Sequence, residues 1–369
     1  MELGLPASPV TRRRFLQTSS AAAAAVALPD LPRVHAQTTR NLRLALPWVA
    51  EGSNLFTYVA KHRGLWAKHG LNVEVIRGTG SVAAAQAIGT GQFDFGMAAA
   101  SAGILQSARG LPLSLIGVCA YDATMGIGVL ADSPVKTPKD LEGRKMASVV
   151  ASGEYPYLPA FAQRAHFDLK KIDIVQVDNQ IRDRTLVDKQ VDAISAFAGS
   201  AIPPLAARGV NVRFMLYSQF GIPNYGNTLM TRPALVDSDP NLCAAVVDGA
   251  MQAIKFTLMQ PKEATEIFFK EVPEMGMTAA GKEQIRIGLG IWQTTVLHDV
   301  ARSQGLGVAN PKAMDDMIDL TMEYVVKDGS KRPARDALMT NRFAGGVKLS
   351  DTEWQQAVTS SREFAKFLT

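Results

Sequence analysis

The chain has 369 residues, 47% hydrophobic and 20% charged, with a formal charge of +5 from 39 basic and 34 acidic side chains. That is apolar material for about two domains, and it excludes a disordered acidic or basic tail protein. Thirty Gly and 19 Pro without a Gly-X-Y period exclude a collagen-like repeat, and two Cys exclude a disulfide scaffold or a Cys-rich zinc site.

The first 36 residues read as an address. Thr11-Arg12-Arg13-Arg14-Phe15-Leu16-Gln17 precedes the small apolar run Ala21 to Leu28, and Val34-His35-Ala36 supplies a small-x-small cleavage site. The Thr-Arg-Arg-x-Phe-Leu pattern is that of a twin-arginine signal, so the twin-arginine translocase is an expected partner during export. The alanine run is shorter than the ~20 residues of a membrane span. The mature chain is expected to begin near Gln37 and, in a bacterium with two membranes, to reside in the periplasm. Its remaining basic residues are scattered, without a run of five or more, so nothing argues for nucleic acid. Oxidising surroundings permit a Cys119–Cys243 bridge, but two buried free thiols are the preferred reading.

The mature chain alternates from its start. Leu42–Leu46 reads as a strand, Asn54–Gly64 as a helix, Leu71–Ile76 as a strand, and Val82–Ile88 as a helix stopped by Gly89 and Gly91. Phe93–Ala98, Ala102–Ala108 and Leu113–Ala120 continue as strand, helix and strand. A second section repeats the alternation with Arg144–Val150, Tyr157–His166, Ile172–Val177, Asp183–Lys189 and Ala193–Ala196. Strands alternating with helices imply βαβ units around parallel sheets. Gly91-Gln92-Phe93-Asp94 is echoed by Lys189-Gln190-Val191-Asp192, each between a helix and a strand. From Ser238 onward the chain turns helical: Pro240 opens one helix, Asn310-Pro311 caps another, and Ser350-Asp351-Thr352-Glu353 is a capping box. Gly128–Ala131 and Asn227–Thr231 flank the second section and are expected to be hinge crossings between two lobes.

Catalytic motifs are sparse. Gly78-Thr79-Gly80-Ser81-Val82-Ala83 fits a dinucleotide turn, but the acidic residue due ~20 positions later is lacking. Gly276 to Lys282 has phosphate-loop spacing, yet Glu283 stands where a Ser or Thr is needed. The four histidines after residue 36 (His62, His69, His166 and His298) show no metal-ligand spacing, and His298-Asp299 is read as a pair on a long helix. No metal, cofactor or catalytic residue is nominated.

Several segments together resemble the periplasmic solute-binding proteins of the nitrate/sulfonate/taurine and thiamine-pyrimidine type: Leu44-Ala45-Leu46-Pro47-Trp48, His62 to Leu71, Gly89 to Gly96, and Lys136 to Lys145. The resemblance implies an α/β, two-lobed periplasmic-binding-protein fold, type II-like, with two hinge crossings. It places lobe one at 37–130 plus 228–369 and lobe two at 131–227. It further implies a monomer that hands a small solute to an inner-membrane ABC permease. The family includes an enzyme that builds the thiamine pyrimidine from its own histidine; this chain lacks that enzyme's cysteine-rich motif and has no His in the loop 49–54.

In open α/β sheets a ligand lies beyond the strand C-termini, against helix N-termini. Those positions are Trp48, Ser53, Asn54, Thr79, Ser81, Ala99, Ser101 and Tyr121 in the first section. In the second they are Ser152, Gly153, Glu154, Tyr155, Asn179, Phe197 and Gly199, with Tyr225 near the return crossing. Amides and hydroxyls at helix starts suit an anion, the aromatics suit a planar or apolar body, and Glu154 favours an amine or pyrimidine edge. The expected function is therefore non-catalytic capture of a sulfonate, aromatic carboxylate or pyrimidine-like solute. The alternative is an exported nucleotide-cofactor enzyme or a pyrimidine-synthase-like enzyme.

Overall fold

The computed structural model describes Met1 and residues 39–326 and 330–368, so the expected export signal lies, beyond Met1, outside the described residues. Ten strands follow in chain order: β1 (Arg40–Ala45), β2 (Leu71–Ile76), β3 (Phe95–Ala99), β4 (Ser114–Val118), β5 (Met125–Leu130), β6 (Lys145–Ser148), β7 (Asp173–Gln176), β8 (Ala193–Phe197), β9 (Val212–Leu216) and β10 (Asn227–Thr231). They form two five-stranded sheets of like pattern, β2-β1-β3-β10-β4 and β7-β6-β8-β5-β9. In each, four strands point one way and one runs against them: β10 is antiparallel to β3 and β4, and β5 to β8 and β9. Each opposed strand is the first that the chain enters on arriving from the other sheet.

That exchange corrects the expected crossings. Most of 128–131 lies in β5, inside the second sheet, and Asn227–Thr231 is β10, inside the first. An apolar run reads alike in either sheet, because pairing partners are not written in its periodicity. The chain instead passes between the sheets at 119–124 and 221–226. The two passages lie side by side: Gly226 N–H donates to Ala120 O at 2.9 Å, and Ala123 N–H to Asn224 O at 2.8 Å.

The C-terminal third is helical, as its start signals require. The Asp239 side chain accepts from Leu242 N–H at 3.0 Å ahead of the helix Pro240–Met259, and Asn310 from Ala313 N–H at 3.0 Å ahead of Pro311–Tyr324. At Asp351–Ser361, Ser350 and Glu353 exchange hydrogen bonds as a capping box. His298 sits differently from its expectation: the helix Ala279–Val296 has ended, and its ring caps the short helix Asp299–Gln304 by accepting from Val300 N–H. These helices cover the first sheet, where Trp66 is 1% exposed and donates its indole N–H to Val246 O. They also reach the second, since Ile287 and Ile291 pack on Ile202 of the helix Ala198–Ala206. Cys119 and Cys243 are both buried free thiols, and burial pushes their pKa values up to about 12 and about 11.

The sequence echo marks one backbone turn used twice. Gly91 and Lys189 both have positive φ, 82° and 54°, and lead into β3 and β8, which hold the same place in the two sheets. Only Gly adopts that conformation without steric cost, and Lys189 is exposed, so its side chain contributes little packing. Lys189→Gly is expected to raise stability by about 0.5–1 kcal/mol in urea denaturation, the steric relief exceeding the added chain entropy.

Candidate functional site

The C-terminal ends of β1 and β3 face those of β6 and β8 across a narrow cavity. From the first-sheet side come Trp48, Glu51, Ser53 and Ser81; from the second come Ser152, Arg182, Phe197, Gly199 and Ser200. The passages contribute Ala120, Asp122, Thr124 and Gly226, beside Asn227 at the start of β10; the helix Ala279–Val296 adds Ile291, Trp292 and Thr295. The walls touch. Val82 N–H donates to Ala151 O at 3.0 Å, and a Cβ on Gly80 would stand 2.1 Å from that same carbonyl oxygen.

Two buried carboxyls and one buried guanidinium set the electrostatics. Glu51, 7% exposed, accepts from Ser53 Oγ at 2.6 Å on its own side and from Ser200 Oγ at 2.8 Å on the other. Burial pushes its pKa up to about 7, against the opposing hydroxyls and the Arg182 charge. Glu154 accepts from the Ser152 hydroxyl and from Ser195 Oγ, and burial raises its pKa too. Arg182 donates its Nε to Asp183 at 2.8 Å, and its guanidinium carbon lies 5.4 Å from the Trp48 ring centroid. Burial opposes its charge, but Asp183, Glu154 and Glu51 outweigh that and raise its pKa.

Of the expected residues, Trp48, Ser53, Ser81, Ser152, Phe197 and Gly199 line this cavity. Glu154 stands behind Ser152. Gly153 meets the opposite wall, with room for a Cβ only 3.1 Å from Ser81 Cβ. Ala99 donates its N–H to Ser81 Oγ, so Ser81 ties β3 to its helix rather than capping it. Asn54 is buried in the loop, its amide donating to Val49 O and accepting from Glu51 N–H. Ser101 is buried beneath, its carbonyl facing Tyr157 Oη. Thr79 is exposed, and neither it nor half-buried Tyr155 and Asn179 lines the cavity. Tyr121 and Tyr225 face away: Tyr121 donates to Val308 O and stacks on His298, and Tyr225 accepts from Asn310 N–H. Along an extended passage alternate side chains point to opposite faces, so Ala120 and Asp122 take the cavity side.

Sequence reasoning missed Glu51, Asp122, Thr124, Arg182, Ser200 and Asn227. Glu51 lies three residues past Trp48, and Arg182 three past Asn179, so proximity was the available signal. Nothing local announces Ile291, Trp292 or Thr295.

Two facing sheets exchanging one strand each, with a cavity at their strand ends, define the periplasmic-binding-protein fold. The chain belongs to the NMT1/THI5-like family, whose sequence model matches residues 53–264. It is 20% identical over 240 residues to a formylaminopyrimidine-binding protein of Halalkalibacterium halodurans, covering 64% of this chain and 72% of that protein. A 4-amino-5-hydroxymethyl-2-methylpyrimidine phosphate synthase of Legionella pneumophila is 19% identical over 235 residues, 63% of this chain and 74% of the other. In three dimensions it resembles the alkanesulfonate-binding protein SsuA of Xanthomonas axonopodis pv. citri bound to MOPS, with TM-score 0.60, 15% identity, and 81% of this chain and 98% of that one covered.

Between pH 4.5 and 7 the folded chain holds the Glu51 proton that the unfolded chain has lost, so this group's effect on stability turns unfavourable as pH rises. A shift of that size is worth about 3 kcal/mol. Glu51→Gln is expected to remove that slope, and the stability difference between variant and parent, measured by urea unfolding at pH 4.5 and 8, to grow by about that amount in the variant's favour. Gly80→Ala tests the wall contact. It is expected to hold the walls apart, enlarging the radius of gyration in X-ray scattering with secondary structure unchanged by circular dichroism.

Proposed function

We propose that this chain is an exported, non-catalytic solute-binding protein that closes over a small organic solute and presents the closed form to an inner-membrane ABC permease. Its lobes are 39–118 with 227–368, and 125–220, hinged at the two passages. The lobe boundaries follow sheet membership, and the export reading follows the twin-arginine pattern at Thr11 to Leu16.

One observation carries the solute class. Each carboxyl at the cavity already accepts: Glu51 from Ser53 and Ser200, Glu154 from Ser152 and Ser195, and Asp122 from Thr124 N–H. Donors remain: the hydroxyls of Ser81 and Thr124 each accept a backbone N–H, leaving their protons to give, and Arg182 spends only Nε on Asp183 among the described residues. Such a cavity favours a solute with an acceptor-rich head, a sulfonate or carboxylate, and a small apolar body against Trp48, Phe197 and Ile291. A pyrimidine with ring-nitrogen acceptors is the second reading, favoured by the relative named for formylaminopyrimidine. An enzyme consuming its own histidine is disfavoured. Among the described residues no His lines the cavity, and His62 and His69 pair with Glu271 and Asp248.

The test is a melting-temperature screen of sulfonates, aromatic carboxylates, nitrate and pyrimidines, with mass spectrometry of any copurifying molecule. A solute at 100 times its dissociation constant is expected to stabilise the chain by about 2.7 kcal/mol. Arg182→Gln is expected to weaken that solute at least about tenfold in calorimetry, roughly 1.4 kcal/mol. Silence across the screen, or conversion of a solute to product, counts against the reading.

A further inference from the structure

The carboxyl of Glu51 is placed where a solute-binding site would least be expected to hold a charge. It comes from the first-sheet side, is 7% exposed, and bonds to Ser200 of the opposite wall. Parting the walls would break the Ser200 contact and admit water to the carboxyl, which is buried with the walls together. Among the described residues, the groups facing it are few. Arg182 and Asp183 stand on one helix, with Glu154 beyond the guanidinium, and Asp122 lines the same cavity. The helix Ala279–Val296 passes Gly52 with the backbone of Gly288 and Leu289. Arg182 already has Asp183 as its partner, so it does not supply Glu51 with a full counter-charge.

We infer that Glu51 is a specificity-determining residue: the cleft closes on an oxyanionic solute with this carboxyl in its neutral form, taking up a proton from the buffer in each molecule whose free form has lost it. This rests on the proposed function and deepens it. An ionised Glu51 would stand against the solute's own negative charge in a dry cavity, where like charges repel strongly. The neutral acid removes that repulsion and adds a donor beside Arg182 and Ser81. The shift of Glu51 toward neutral pH agrees with this direction. The proton moves from buffer acid to the Glu51 carboxylate, with no other bond made or broken. Asp122 is also raised by burial, so it is the group to be separated from Glu51 by mutation.

Benzenesulfonate and benzoate are suitable probes, because neither changes charge between pH 6 and 8. Isothermal titration of the whole chain in two buffers of different ionisation enthalpy counts protons directly. Proton uptake is expected to be a fraction of one per probe at pH 6.5, where the free chain already holds part of the Glu51 proton, and to grow at pH 7.5, with affinity falling severalfold from pH 6 to 8. Glu51→Gln is expected to bring both effects near zero, whereas Asp122→Asn is expected to retain the proton uptake whatever it does to affinity. If Glu51→Gln does not fold, the carboxyl signal of Glu51 followed by carbon NMR in the parent chain is expected to move to the neutral form on adding probe. PH-independent affinity, proton release, proton uptake that survives Glu51→Gln, or failure of both probes while a cationic solute binds would each overturn the inference. If Arg182→Gln leaves probe binding untouched, the cavity itself is the wrong site and the proposed function falls with it. If Arg182→Gln abolishes binding but the proton count is zero, only the role of Glu51 falls.

Discussion

The hydrogen bonds that bind the two passages together, Gly226 to Ala120 and Ala123 to Asn224, constrain everything else in the molecule. Because each passage ends by inserting a strand into the sheet it reaches, neither sheet is complete without the chain that crosses to it. The insertion runs antiparallel beside β3 and beside β8, which turns the C-terminal ends of the parallel strands toward each other. Loops following those ends lie where backbone N–H groups and strand-end side chains are exposed, the usual site of ligands in open α/β sheets. The cavity is thus a consequence of topology, and its side chains are a selection made upon that topology. Trp292 fixes the frame by donating its indole N–H to Cys119 O at the start of one passage, and Thr295 accepts there from Tyr121 N–H through its carbonyl.

Local signals made much of the fold readable. The alternation of Leu71 to Ile76 is the alternation of buried and exposed positions in β2, and Pro240, Asn310 and Ser350 start helices where their chemistry dictates. Strand-end reasoning located Trp48, Ser53, Ser81, Ser152, Phe197 and Gly199, because it needs only the order of strand and helix. It overreached at Tyr121 and Tyr225, whose position beside a strand end was legible but whose facing was not, since one residue of register reverses the side. The sheet to which Met125 to Leu130 belongs is a long-range fact that no apolar run records. Glu51 and Arg182 escaped for a different reason. Charged residues are read as exposed by default, and what buries these two is distant in sequence: Ser200 lies 149 residues from Glu51, and Arg182, though paired with the adjacent Asp183, is covered by the Trp48 ring of the opposite wall.

Burying those groups has a cost, and where it falls bears on how the molecule works. A buried ion pair seldom gains more from attraction than it loses in desolvation, and an unpaired buried charge is worse. Arg182 is 2% exposed and stabilised by Asp183 and by the Trp48 face, the ring coming from the opposite wall. Ser200 reaches Glu51 across the same gap. Parting the walls would therefore exchange protein contacts for water at the very groups that most need solvation, which would lower the cost of a parted form.

A solute can shift that balance only by its preference for the closed form. Moving a cleft from one part in a hundred closed to ninety-nine takes about 5.5 kcal/mol, whereas a micromolar solute has about 8 kcal/mol in all. Little would be left for affinity if closure had to be driven from so far. Contacts that the walls make without help, Val82 with Ala151 and Glu51 with Ser200, would bring a parted and a closed form nearer in energy. The dry polar groups would keep such a closed form from becoming permanent. Under the proposed function, capture and release by one molecule require both, and the buried carboxyls and guanidinium would then set the closing equilibrium as well as pack the cavity.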